Sequence, residues 1–180
     1  MVSRADIPET DVLVPRCHTR VPSPLGDLML VATPVGLCGL YFVDRIDARV
    51  PLGTADPAPF NVAVAQLEEY WAGRRHTFEL VLDPFGTSFQ RAVWTAIAGI
   101  PYGATVTYAE IAVAVGRPRA ARAVGAATGH NPLSIVVPCH RVVGRDGRLT
   151  GYGGGLDRKR WLLAHEATPS KVPKVQEAVG

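Results

Sequence analysis

Cys139, His140 and Arg141 follow Pro138 directly, behind the β-branched run Ile135-Val136-Val137. These residue types together can do nucleophilic chemistry. A thiolate is the best nucleophile among the side chains, but an unperturbed cysteine is only about 3% ionised near neutral pH, so a reactive one needs a base or a positive charge beside it. His140 and Arg141 supply one of each within two residues. The same pattern fits a buried structural cysteine followed by two surface residues, and the pair alone does not separate the two. Consecutive side chains on a strand point to opposite faces, so sulfur and imidazole cooperate only if the chain turns after Pro138 or a water bridges them.

The elements that must position this group begin upstream. Thr87-Ser88-Phe89-Gln90 has the form of a capping box, and Phe89, Val93, Ala96, Ile97 and Ile100 then share one helical face. Ile100-Pro101-Tyr102-Gly103 ends that helix. Thr107-Tyr108-Ala109-Glu110 is a second capping box, opening a short helix with Ile111, Ala112 and Val115 inward; Gly116-Arg117-Pro118 breaks it, and a further helix is expected from Arg119 to Thr128. Helix, short glycine-containing turn, helix is the pattern of a helix-turn-helix, although two packed helices with no ligand would read the same. The second helix is unusually smooth. Ala120, Ala121, Ala123, Gly125, Ala126 and Ala127 surround the single long cation Arg122, which suits close approach to a narrow groove.

Charge is unevenly divided. Residues 1–86 carry seven Lys/Arg against eleven Asp/Glu, whereas residues 87–170 carry ten against four. A basic half bearing paired helices is the electrostatic footprint of nucleic-acid binding, although a solvated basic surface remains the alternative.

Five blocks in order carry a resemblance: Phe89-Gln90-x-x-Val93-Trp94, Ile100-Pro101-Tyr102-Gly103-x-Thr105, Arg122-Ala123-Val124-Gly125, Gly129-x-Asn131-Pro132 and Pro138-Cys139-His140-Arg141-Val142. Over residues 16 to 167 the chain resembles the O6-alkylguanine-DNA alkyltransferases, also called methylated-DNA–protein-cysteine methyltransferases. The resemblance implies a small N-terminal α/β domain with an antiparallel, ribonuclease H-like sheet (residues 1–86), a mostly helical, winged-helix-like C-terminal domain with the helix-turn-helix (87–170) and a disordered tail (171–180). It also implies direct, irreversible, stoichiometric transfer of a methyl or other alkyl group from O6 of guanine to the protein's own cysteine, with the range of alkyl groups and activity on O4 of thymine left open.

By the same resemblance Cys139 is the acceptor, His140 the base acting through a bridging water, and Glu166 the acid that orients the histidine. Asn131 is the hinge between the helix-turn-helix and the active-site strand. Tyr108 disfavours the phosphate's normal position and donates a proton to the departing guanine. Arg122 is the finger that enters the base stack through the minor groove, with Ala121, Ala123, Gly125, Thr107 and Tyr108 beside it on the DNA. Val142, Tyr152, Gly153 and Gly154 form the base pocket.

Physical logic fits these roles. O6 is buried in a paired duplex, so a nucleophile in a pocket requires the nucleotide to be extruded, at a cost of a few kcal/mol that an inserted arginine and phosphate contacts could offset. A Glu–His–water–Cys chain fixes the imidazole tautomer and stabilises the imidazolium as the thiolate forms. The product thioether is inert, and one turnover per molecule is expected.

Gly151-Tyr152-Gly153-Gly154-Gly155 superficially resembles a phosphate loop, but no Lys-Ser/Thr follows it; it reads as a flexible pocket wall. The first 86 residues are less informative. Strands are expected at 16–20, 28–33, 36–42 and 77–83, a Pro- and Asp-rich loop at 44–59 and an amphipathic helix at 60–71, with mobile ends at 1–12 and 168–180. Cys17, His18, Cys38 and His76 are metal-capable types without ligand spacing, and they do not fall on the positions where some relatives hold zinc; no metal and no cofactor are expected.

Three cysteines without a paired framework, no signal peptide and no spanning apolar run point to a cytoplasmic protein of bacterial type, nucleoid-associated through DNA, with no membrane partner. A monomer acting on double-stranded DNA is expected, with cooperativity along the duplex left open. Two other classes stay in play: a sensor of alkylated bases without transfer, against which the cysteine itself argues, and a Cys-His hydrolase, which would have no use for Arg122.

Overall fold

The computed structural model describes residues 14–167. The ends expected to be mobile, and the tail at 171–180, lie outside the described residues. Strands β1 (Cys17–Val21), β2 (Leu28–Ala32) and β3 (Leu37–Phe42) form an antiparallel meander with Thr19 opposite Leu30 and Leu30 opposite Leu40. The sheet is not wholly antiparallel, because the two-residue strand β4 (Thr54–Ala55) joins β1 in parallel within the stretch expected to be loop. Helix α1 (Asn61–Trp71) follows and turns Ala63, Leu67 and Tyr70 inward at i, i+4 and i+7.

The strand expected at 77–83 does not form. Its alternating pattern is real, since Phe78, Leu80 and Leu82 pack on the core. However, the Gln66 side chain takes both backbone groups of Glu79, accepting from its N–H at 2.8 Å and donating to its carbonyl at 3.0 Å. An amide side chain thus replaces a neighbouring strand, and only a single bridge between Leu37 and Leu82 survives.

Helix α2 (Ser88–Ala98) and helix α3 (Tyr108–Ala114) each start at a complete capping box, with Thr87 and Gln90, and Thr107 and Glu110, satisfying each other's backbone donors. Thr87→Ala removes one of these reciprocal bonds without touching the core. It should lower stability by about 1 kcal/mol, seen as a shifted urea midpoint with an unchanged slope. Helix α4 (Ala121–Gly129) begins two residues later than expected. Gly116 at φ 70° closes α3, and a turn in which the Ala120 N–H bonds Arg117 O uses Arg119 before α4 can start. The Trp94 indole N–H donates to Ala127 O at 2.9 Å and locks α2 to α4. Strand β5 (Val106–Thr107) pairs in parallel with β6 (Val142–Val143), and helix α5 (Leu156–Ala167) closes the fold.

Buried apolar side chains from both halves form one continuous cluster, from Leu28 and Leu40 to Val124 and Leu162. The outer edge of β3 also holds the segment that leads to Cys139: the Leu40 N–H donates to Pro132 O at 2.8 Å, and the Ser134 N–H donates to Leu40 O at 3.0 Å. The edge of the sheet is thereby occupied by the segment that leads to Cys139.

Candidate active site

Residues 135–137 are not the expected strand. Ile135, fully buried, sits in the left-handed region at φ 73°, a conformation costing a β-branched residue about 1–3 kcal/mol. Bonds from Val136 N to Ser134 O and from Val137 N to Leu133 O close a tight reversal there. After Pro138 the chain winds into a 3-10 turn over Cys139–Arg141. The turn required on geometric grounds is therefore present, so Cys139 and His140 are not consecutive residues of an extended strand with side chains on opposite faces.

Asn131 organises this reversal. Its amide donates to Val137 O at 2.8 Å and to Cys139 Sγ at 3.1 Å, while its carbonyl accepts from the Leu133 N–H at 3.0 Å. Cys139 is 4% exposed. Burial pushes its thiol above the usual range, opposed by the Asn131 hydrogen bond and the nearby Lys159 charge. The resting group is consequently a thiol that needs a base.

His140 is wholly buried, and burial also holds its imidazole below the ordinary range against the pull of Glu166. It is neutral at neutral pH. Its Nε2 lies 2.8 Å from Glu166 Oε1, which fixes the proton there and leaves Nδ1 as the basic atom; Nδ1 has no protein hydrogen-bond partner among the described residues.

Glu166, on the inward face of α5, accepts from five donors: Tyr70 Oη (2.8 Å), His140 Nε2, Arg141 Nε (2.8 Å), Arg141 Nη2 (2.9 Å) and the Gly103 N–H (3.3 Å). Burial alone would raise its carboxyl, but hydrogen bonds from His140 and Arg141, and their charges, outweigh it and keep the group ionised well below the carboxylate range. Arg141 was expected to lend its charge to the thiol. Instead it is committed to Glu166 and to Ile100 O at 2.6 Å.

The pocket wall is held by a residue that sequence inspection passed over. Lys159 is completely buried and donates to Val142 O (2.6 Å), Thr150 O (2.7 Å) and Gly151 O (3.4 Å). Burial brings its ammonium down to about 8, with Cys139 acting in the opposite sense. Lys159, Leu162 and Glu166 follow one another at i, i+3 and i+7, a periodicity that could have flagged the lysine. Tyr70 was missed as a site member, and the pairing of Arg141 with Glu166 was not foreseen, because nothing local signals a partner across the fold.

Other expected positions divide between interior and surface. Val142 is buried in β6, and Tyr152 stands edge-on to His140 with ring centroids 6.4 Å apart. Gly153 is exposed, whereas a side chain at Gly154 would press against the Tyr152 and Phe42 rings at 2.6 and 2.7 Å. That glycine is needed for close approach, not for flexibility. Tyr108, at the start of α3, donates to Thr150 O at 3.2 Å, and Thr107 caps the same helix. On α4, Arg122 and Ala123 are exposed and Ala121 and Gly125 half-buried, so these four lie on an accessible face while Val124 and Ala127 pack inward. Cys17, His18, Cys38 and His76 form no metal-capable cluster among the described residues. A cavity of about 250 Å³ lined by Tyr41, Trp94, Asn131, Pro132 and Gly153 lies on the sheet side of this loop and does not include Cys139.

Comparison with known proteins adds independent findings. Residues 17–84 match the ribonuclease-like domain, and residues 88–168 the DNA binding domain, of the 6-O-methylguanine DNA methyltransferase family models. A methylated-DNA–protein-cysteine methyltransferase of Mycolicibacterium paratuberculosis is 53% identical over 150 residues, covering 83% of this chain and 91% of its own. One from Methanosarcina barkeri is 47% identical over 148 residues, covering 81% and 94%. Among solved structures, Mycobacterium tuberculosis OGT in complex with DNA superposes with a TM-score of 0.79 at 48% identity, covering 83% of this chain and 92% of that one.

Proposed function

The chain belongs to the 6-O-methylguanine-DNA methyltransferase family, and on that premise we propose that it repairs alkylated double-stranded DNA by moving the alkyl group from O6 of guanine to Cys139. It is a methylated-DNA–protein-cysteine methyltransferase, acting once per molecule. The observation that carries the assignment of residues is the buried Glu166–His140 pair next to a sulfur held by Asn131.

The thiol is pushed up by burial and the imidazole is neutral, so the proton moves only when an electrophile arrives. Nδ1 of His140 takes it through a water, Glu166 steadies the imidazolium, and the thiolate attacks the alkyl carbon as the C–O bond breaks. Tyr108 then protonates the departing guanine. Asn131 holds the sulfur throughout, and Val142, Tyr152, Gly153 and Gly154 receive the extruded base. The thioether has no means of release, which makes transfer stoichiometric.

Binding uses the smooth face of α4 in the minor groove, with Thr107, Tyr108, Ala121, Ala123 and Gly125 against the backbone and Arg122 in the stack. Residues 87–170 carry chemistry and binding; residues 1–86 support them. The protein works as a monomer in the cytoplasm, on the DNA. No helix among the described residues is long and apolar enough to cross a membrane.

Incubation with one equivalent of duplex containing O6-methylguanine tests this reading. Intact-mass analysis should show one methyl group per protein, placed on Cys139 by peptide mapping; repaired DNA with unmodified protein would reject it. Arg122→Ala should slow repair of duplex by roughly 10²-fold, a few kcal/mol of lost extrusion energy, while reaction with free O6-benzylguanine stays within a few-fold. Equal losses on both substrates would exclude the finger role.

A further inference from the structure

We propose that Tyr70 is a positioning residue of alkyl transfer: its hydroxyl, delivered by α1 from the N-terminal half, shares Glu166 Oε1 with His140 and so sets how firmly the carboxylate holds the imidazole. The proposal rests on the Glu166–His140 relay described above. It gives the N-terminal half a part in the acid–base chain beyond support.

The geometry is specific. Tyr70 is fully buried, and its Oη lies 2.8 Å from Glu166 Oε1, the same oxygen that sits 2.8 Å from His140 Nε2 and 2.9 Å from Arg141 Nη2. Phenylalanine would fill the same space in an apolar core, so the hydroxyl is what needs explaining. Among the described residues its hydrogen-bond partner is this carboxylate. The ring is held by Trp71, Phe78, Tyr102 and His165 at centroid distances of 5.1 to 6.2 Å, and His165 Nε2 lies 2.9 Å from the Tyr70 carbonyl. The hydroxyl has little freedom to turn away.

Burial, with the Glu166 charge beside it, drives the Tyr70 phenol far above its ordinary range. It therefore remains a donor at any working pH and does not carry the reaction's proton. Its effect is competition: charge that Oε1 directs at the phenol is withdrawn from the imidazole. Removing the donor strengthens the pull of Glu166 on the His140 proton and makes the imidazole more basic. The other titratable groups facing this pair are Arg141 in the turn, Lys159 on α5, and Tyr102, Tyr152 and Cys139. None of them is altered by the change.

Tyr70→Phe tests the idea, with 3-fluorotyrosine at position 70 as a more acidic and hence stronger donor. The His140 titration is followed by NMR in protein carrying ¹³C-labelled histidine, beside single-turnover methyl transfer from duplex between pH 5 and 9. In Tyr70→Phe the His140 titration and the acid limb of the rate profile should move up together by about half to one pH unit. That lowers the rate by about three- to ten-fold on the acid side of the His140 titration and leaves the alkaline plateau nearly unchanged. Fluorotyrosine should move both the opposite way, and it decides the matter if the phenylalanine variant fails to fold. A rate loss equal at every pH, or an unmoved His140 titration in folded protein, overturns the proposal. A moved titration with an unmoved rate profile points elsewhere: Tyr70 then tunes the imidazole, but His140 is not the base and the relay itself fails.

Discussion

Cys139→Ser is expected to abolish methyl transfer while leaving binding to methylated duplex nearly intact. Serine is close to isosteric and can still accept the Asn131 amide that now reaches Sγ at 3.1 Å, so the 3-10 turn and the relay behind it should persist. What disappears is reactivity. A neutral His140, held below its ordinary range by burial, cannot ionise a hydroxyl as it can a thiol. The rate should fall by roughly 10⁴-fold or more, the scale on which loss of a nucleophile from a histidine-activated site is felt. Neither remaining cysteine is equipped to substitute. Burial raises Cys38 to about 11, and its thiol donates to Val31 O; Cys17 is likewise raised by burial, and neither has a histidine–carboxylate pair in hydrogen-bond reach among the described residues. Intact mass after incubation, together with an equilibrium binding curve, checks both halves. A methylated Cys139→Ser protein would place the acceptor elsewhere and remove the basis of the mechanism.

Arg141→Ala should produce the largest loss of stability. The guanidinium makes a two-toothed bond to Glu166 and donates to Ile100 O, almost entirely out of solvent. Truncating it leaves a buried carboxylate short of a counter-charge and a carbonyl without a donor, a change costing about 3–5 kcal/mol. For a chain of this size that lowers the thermal midpoint by roughly 10 °C or more. Arg141→Lys should not restore it, because an ammonium cannot match both carboxylate oxygens and Ile100 O from one planar head.

The pH dependence follows with its sign. Glu166 is depressed in the folded protein, so its stabilisation is fully present above the unfolded carboxylate pKa and is lost as pH falls through the folded value. Without Arg141 the folded value rises, and acid unfolding begins at a higher pH. A variant with an unchanged midpoint and an unchanged acid limb would show that the pair adds nothing to stability.

Local rules made much of this chain legible. The Thr87–Gln90 and Thr107–Glu110 boxes mark the starts of α2 and α3, because a helix N-terminus is satisfied by residues three apart in sequence. The small residues on α4 and the Pro-Cys-His-Arg block are equally visible, whereas Glu166 is legible only through the resemblance; the fold brings Cys139, His140, Asn131 and Glu166 together. Where expectation failed, a distant group had intervened. Extended backbone was expected at 135–137 from β-branched residues, but the pairing of Leu133 with the edge of β3 and the bonds of Asn131 force Ile135 into a left-handed turn. At 77–83 the alternation was correctly seen, yet Gln66 from α1 took the hydrogen bonds a strand would need.

The amino-acid order by itself determined helices α1 to α3, the caps of α2 and α3, the basic half and the Cys-His nucleophile pair, since each depends on neighbours within a turn or two. Only the tertiary structure decided which groups surround Glu166. Tyr70 is 96 residues away in the chain and Arg141 is 25, and both hydrogen bonds depend on how α1 and the 3-10 turn pack against α5. Burial is likewise a property of the assembled core, so whether Cys139 rests as a thiol and His140 as a neutral base could not be read before the chain closed around them.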